Sequence, residues 1–222
     1  MAAYRNKGKK SLRQPDEFIT FSSRLLSLVI VHKTKMLAGL ILLVVAGLAW
    51  SGVGYLSRRS DARSLLLLSQ ASVKYEAAKA EKGAVGAFAT AREEFARVTE
   101  SYGKQSGGEM ASFLLADAAF AAGEYDQAAT LYRKAAADFS KKIPLEALAT
   151  IGLGYSLEQK GDNEGALQVF SGMDTGAGSL LGDEVLYALG RLYGALGKAD
   201  KKAEMFKKLA ENGGNIPGSL LD

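Results

Sequence analysis

The 222-residue chain is 48% apolar, holds only three prolines and lacks cysteine, which excludes disulfides, zinc–thiolate centres and thiol nucleophiles. Its net charge of +4 is unevenly spread: residues 1–35 carry eight Lys/Arg against Asp16 and Glu17, whereas residues 57–222 carry twenty Lys/Arg against twenty-two acids. The larger part therefore lacks the basic excess that binds nucleic acid through its phosphates, and no nucleic-acid partner is expected.

The first element is a basic tail, residues 1–35, expected on the cytoplasmic side. Within it Phe18–Phe21 and Leu25–Val31 are apolar, interrupted by Ser22, Ser23 and Arg24. About fourteen residues are too few to span a bilayer. The segment reads as an amphipathic helix lying in the inner-leaflet interface, where basic residues meet anionic lipid. A second span here would reverse the topology. His32 reads as an interfacial residue beside Lys33.

Residues 36–56, MLAGLILLVVAGLAWSGVGYL, contain no charged side chain. At 1.5 Å per residue such a helix is about 30 Å long, the thickness of a hydrocarbon core. Lys33 and Lys35 flank one end, and Arg58 and Arg59 the other. Trp50 and Tyr55 lie where amphipathic rings settle at an interface. A cleaved signal peptide would need a shorter apolar stretch and an A-x-A site, and Ser57-Arg58-Arg59-Ser60-Asp61 offers none. The expectation is an uncleaved signal anchor crossing once. The basic excess before it places the N-terminus inside and the rest outside, although Arg58 and Arg59 oppose that orientation. Gly47 and Ser51 form a small-xxx-small spacing of the kind that packs membrane helices.

Residues 57–82 read as a linker helix, and helical periodicity continues to the end. Phe113, Leu114, Leu115, Ala118, Ala119 and Ala122 are one example, and Leu186, Leu189, Leu192, Tyr193 and Leu196 another. Aligned at Gly123, Gly161 and Gly197, the chain repeats itself. Five residues on stand Ala128, Ala166 and Lys202, and four further on Tyr132, Phe170 and Phe206. Seven residues upstream stand Ala116, Gly154 and Gly190, preceded by Leu115, Leu153 and Leu189. A weaker first copy fits at Gly86, Ala91 and Phe95. A small residue before an aromatic has a steric reason: antiparallel helices approach closely at the small residue and the aromatic fills the gap beside it. Ser106-Gly107-Gly108 and Thr175-Gly176-Ala177-Gly178-Ser179 read as loops, and Pro144 and Pro217 as breaks.

Catalytic chemistry is poorly served. The part after residue 56 has no histidine, so neither a Ser–His pairing nor a His/Cys metal cluster can form there. No phosphate-cradling glycine motif follows a strand. Glu93/Glu94 and Asp183/Glu184 are carboxylate pairs, but they sit beside Arg92 and Arg97 or at a helix start that favours acids. Lys201, Lys202, Lys207 and Lys208 read as a solvated face near a helix C-terminus, with contact to anionic lipid as the alternative. No cofactor, no metal and no enzymatic activity are expected.

The stretch Gly123-Glu124-Tyr125-Asp126-Gln127-Ala128-Ala129-Thr130-Leu131-Tyr132-Arg133-Lys134-Ala135 resembles the second-helix signature of the tetratricopeptide repeat family. Gly161-Asp162-Asn163-Glu164-Gly165-Ala166 with Phe170 resembles it too, while Lys202 departs from it. The resemblance implies an all-α fold: a single N-terminal transmembrane helix, then an α-solenoid of degenerate helix pairs over residues 83–222. In such a stack the first helices line the concave side, where peptides lie. Carried onto this chain, the groove positions are Met110, Phe113, Asp117 and Phe120, then Leu148, Ile151, Tyr155 and Glu158, then Glu184, Tyr187 and Arg191. That mixture suits a partly apolar, extended client. The layout of basic tail, single span and degenerate repeats also resembles the YfgM-like ancillary subunits of the SecYEG translocon. That resemblance implies a bacterial inner-membrane protein with a periplasmic repeat domain. Its expected partners are translocon subunits, a periplasmic chaperone or secreted client chains. A scaffold for outer-membrane or cell-wall assembly is the alternative, and self-association stays open.

Overall fold

The computed structural model describes residues 33–140, 142–176, 179 and 181–213, and among them every regular element is an α-helix. The basic tail before Lys33, the segment 18–31, His32 and Pro217 lie outside the described residues. The chain divides into two compact units, Met1–Leu56 and Ser57–Asp222.

In the first unit the described residues belong to helix α1 (Lys33–Tyr102). This is the one helix among the described residues that is long and apolar enough to cross a membrane. The side chains from Leu37 to Leu56 are all exposed, Trp50 at 85%. A helix apolar all round, with nothing among the described residues packed on it, is built for an apolar surrounding, since burial of such surface is what ordinarily stabilises it.

In the second unit α1 is interrupted at Gly83, which adopts φ 71° and ψ 176°. The chain reverses there. Tyr75 before the break meets Phe95 after it, with ring centroids 5.7 Å apart, and Lys74 Nζ donates to Glu94 Oε1 at 2.8 Å. Residues 57–82, read from the sequence as a linker, thus pack on residues 84–102 as one arm of a helical hairpin. Gly86, the glycine aligned from spacing, is not the turn. It lies one helical turn further on, while Ala91 and Phe95, in register with it, are buried at 0% and 1%.

Three further pairs follow: α2 (Ser106–Ala121) with α3 (Tyr125–Asp138), α4 (Ile143–Gln159) with α5 (Asn163–Ser171), and α6 (Gly182–Ala195) with α7 (Ala199–Glu211). From α2 onward each helix packs chiefly on its sequence neighbours, and α2 also touches α4. The three turns are the same device. Gly123, Gly161 and Gly197 adopt φ of 83°, 90° and 70°. The next residue's amide reaches back five positions, Glu124 N to Ala119 O at 2.9 Å, Asp162 N to Leu157 O at 2.9 Å and Lys198 N to Tyr193 O at 2.8 Å. This glycine-dependent closure satisfies the last carbonyls of each first helix. Pro144 stands in the first turn of α4, where its missing N–H is harmless.

The small-residue and aromatic spacing has the expected steric origin. A Cβ placed on Gly154 would lie 2.5 Å from the Phe170 ring, and one on Gly190 would lie 2.6 Å from the Phe206 ring. Tyr132 instead closes on the following pair, 2.4 Å from where a Gly152 Cβ would sit. Glycine is thus the notch that lets a ring replace a side chain between helices. Leu115, Leu153 and Leu189 are buried in the same core, which runs from Leu68 to Leu192.

Ser106-Gly107-Gly108 is not a loop. It opens α2, and the connection from α1 is only residues 103–105. Gly107 and Gly108 are buried because backbone approaches backbone there. A Cβ on Gly107 would lie 2.3 Å from the Ser64 carbonyl carbon, and the Gly107 amide donates to Ser64 Oγ at 3.1 Å. The loop expected around Thr175 falls between α5 and α6, with Ala177 and Gly178 outside the described residues.

Candidate functional site

The first helices of successive pairs are residues 57–82 of α1, then α2, α4 and α6. Each holds one stripe in the core and an adjacent stripe at the edge of it, because positions three and four apart share a face. The expected groove residues fall on both stripes.

On α2, Met110, Phe113 and Phe120 are half-buried against the core. Phe113 packs on Tyr132 and Phe139 with centroids 5.8 and 6.2 Å away, and Phe120 packs on Tyr125 at 5.5 Å. Asp117 accepts a hydrogen bond from the Tyr132 hydroxyl. Burial raises the Asp117 carboxyl above its ordinary value, partly opposed by that bond, and burial together with the carboxylate pushes the Tyr132 hydroxyl well up. On α4, Leu148 is 41% exposed. Ile151 is 8% exposed, so its side chain belongs to the core and is not available to line a groove.

The remaining five residues come together. Tyr155 donates its hydroxyl to Glu184, and Arg191 Nη2 donates to Glu158 Oε2 at 2.7 Å. The Arg191 guanidinium lies 5.6 Å from the Tyr155 ring centroid and 5.5 Å from that of Tyr187. Planar, delocalised and weakly hydrated, guanidinium suits stacking between two rings better than ammonium does. Arg191 Nε is buried without a hydrogen-bond partner among the described residues. Burial first, then Glu184, pushes the Tyr155 hydroxyl well above its ordinary range. Two carboxylates, one guanidinium and two rings thus tie α4 to α6 along the edge stripe.

Residues outside the expected set contact or pair with residues of α2. Tyr75 and Glu76 on the first arm border Asp117 across a cleft, and Lys142 pairs with Glu109. Periodicity did not point to Tyr75 and Glu76, because residues 57–82 read as a linker and carry no repeat signature. Lys202, in place of a small residue on α7, is accommodated by Gly194: a Cβ there would meet the Lys202 stem only at 3.4 Å. The carboxylate pairs have ordinary partners. Glu94 meets Lys74 and Arg97, Glu93 meets Arg97, and Asp183 and Glu184 stand in the first turn of α6. Lys207 and Lys208 pair with Glu211 and Glu204.

Sequence models described as tetratricopeptide repeat match residues 81–143, 113–179 and 184–212, more than half of the chain. The chain belongs to the tetratricopeptide repeat family. Repeats of this family are protein–protein interaction scaffolds and are generally non-catalytic. No curated protein matches the chain. The matched stretch starts just before Gly83, so it takes in the second arm of the first hairpin and every tetratricopeptide pair after it.

Proposed function

We propose that this tetratricopeptide repeat protein is a membrane-anchored scaffold. It holds its repeats on the periplasmic side of a bacterial inner membrane, as an ancillary subunit of the secretion translocon. In that role it binds emerging chains or recruits a chaperone. The observation that carries the reading is the uncharged stretch of residues 36–56, exposed from Leu37 to Leu56, in the same chain as a protein-binding repeat unit. Tethering raises the local concentration of the repeats at an exit site without any tighter contact. The basic excess before the span supports a cytoplasmic N-terminus. The face offered to partners is the edge stripe, with Met110, Phe113, Asp117, Phe120, Leu148, Tyr155, Glu158, Glu184, Tyr187 and Arg191 as its residues.

Photo-cross-linking amino acids placed at Leu148 and Tyr187 in the full chain test this in cells. Capture of channel subunits or of a periplasmic chaperone is the expected result. Capture only of outer-membrane or cell-wall assembly proteins would replace the translocon with that machinery. A C-terminal alkaline phosphatase fusion should be active, and activity of a cytosol-only reporter instead would overturn the topology.

A further inference from the structure

Between the first arm and α2 lies a cleft of about 340 Å³, within the range of ligand-sized pockets. Its apolar side chains are Tyr75 and Phe95 on one side, and Leu114 and Ala121 on the other. Its polar lining is Ser72, two carboxylates and one ammonium. Asp117 and Glu76 line it with Lys79, whose ammonium lies 3.8 Å from Glu76 at the exposed rim. Among the described residues Asp117 makes no ion pair, and its hydrogen-bond partner is the Tyr132 hydroxyl at Oδ1. The other carboxylate oxygen is therefore free to accept. The cleft carries one net negative charge, with Asp117 half-buried beside the apolar side chains.

We propose that this cleft is a side-chain subsite for a basic residue, arginine or lysine, of an extended polypeptide bound along the first helices. The inference rests on reading that face as the binding surface. A basic side chain matches the cleft in both halves. Its aliphatic stem lies against Leu114, Ala121 and Phe95, while its charged head reaches Asp117. The Tyr75 ring adds a face that attracts cations, and Lys79 Nζ already lies 5.7 Å from its centroid. Burial raises the Asp117 carboxyl, so an incoming cation relieves a cost already present in the empty protein. An acidic side chain meets two carboxylates, and an apolar one leaves Asp117 desolvated and unpaired.

The test uses the full chain in phosphatidylcholine nanodiscs, with empty discs as the blank. The probes are fluorescein-labelled nine-residue peptides of alternating valine and threonine whose central residue is arginine, lysine, citrulline or glutamate. Fluorescence anisotropy should rank arginine and lysine about tenfold tighter than citrulline, the neutral isostere of arginine, with glutamate weakest. Asp117→Asn still accepts from Tyr132 and should bring the arginine-to-citrulline ratio to about one. Glu76→Gln should lower it in part, and Glu204→Gln on the last helix should leave it unchanged. Equal binding of arginine and citrulline peptides would overturn the subsite while leaving a scaffold that binds peptides. Failure of all four peptides to bind would overturn it as well, and the cross-linking experiment then decides the scaffold reading separately. An undiminished ratio in Asp117→Asn, with native helix content by circular dichroism, would also overturn it.

Discussion

Glycine-to-alanine exchange should have opposite signs at two positions of the same type of helix. At Gly154 a new Cβ would stand 2.5 Å from both Cε2 and Cζ of Phe170. Carbon atoms pack best at about 3.5–4.0 Å, so the ring must retreat by about 1 Å. Phe170 is 0% exposed and has nowhere to go. Overpacking of that kind costs about 1–3 kcal/mol, and removing glycine from a helix interior returns at most about 1 kcal/mol. The net expectation is a loss of up to about 2 kcal/mol, or up to about 8 °C in melting temperature for a unit of this size. At Gly194 the nearest atom is Lys202 Cδ at 3.4 Å, the flexible stem of an accommodating side chain. There Gly194→Ala should stabilise by up to about 1 kcal/mol. Thermal melts followed at 222 nm on the full chain in nanodiscs compare the two. In a Phe170→Leu background the penalty at Gly154 should vanish. Shifts of the same sign at both glycines, or a penalty that survives Phe170→Leu, would refute the notch.

Asp117→Asn should stabilise the fold at neutral pH, and the sign follows from linkage. Because the folded carboxyl is raised, stability falls as pH climbs from the unfolded carboxylate value to the folded one, and the variant's advantage should disappear in acid; urea titrations at several pH values measure it. Arg191→Ala leaves Glu158, whose side chain is 16% exposed, without its cation, and should cost about 1–3 kcal/mol. Arg191→Ala combined with Glu158→Gln should recover part of that loss in the same melts. Gly161→Ala places a Cβ at φ 90° and should cost about 1–2 kcal/mol through backbone strain alone, visible as a lower urea midpoint.

The helix pairs were legible because their signals are local. Glycine at a turn and alanine four residues before a ring are fixed by one hairpin's own sterics, so Gly123 with Ala128 and Tyr132 can be read without knowing the rest. The first copy was harder. Its arm carries an extra turn, so Gly83 reverses the chain while Gly86 keeps the register of Ala91 and Phe95. Gly107 and Gly108 look like any flexible glycine pair in sequence. The backbone of Ser64, more than forty residues earlier, explains Gly107, and the carbonyl of Tyr102 at the end of α1 explains Gly108. Core and edge stripes are equally hard to separate. Ile151 and Leu148 are three residues apart on one helix, yet one is 8% and the other 41% exposed. What divides them is the placement of the neighbouring pair, which periodicity does not encode. The cleft at Asp117 has the same origin, because Tyr75 and Glu76 reach it from a helix that carries no repeat signature.

The helices from α2 onward touch mainly the helices next to them in sequence, and that arrangement governs how the chain acquires its structure. Partners separated by a few tens of residues close small loops, so each hairpin can form as soon as its own two helices exist. Assembly needs no distant C-terminal strand or helix to arrive before the earlier pairs settle. A polypeptide delivered N-terminus first can therefore order itself in step with its delivery, each finished pair serving as the template on which the next one condenses.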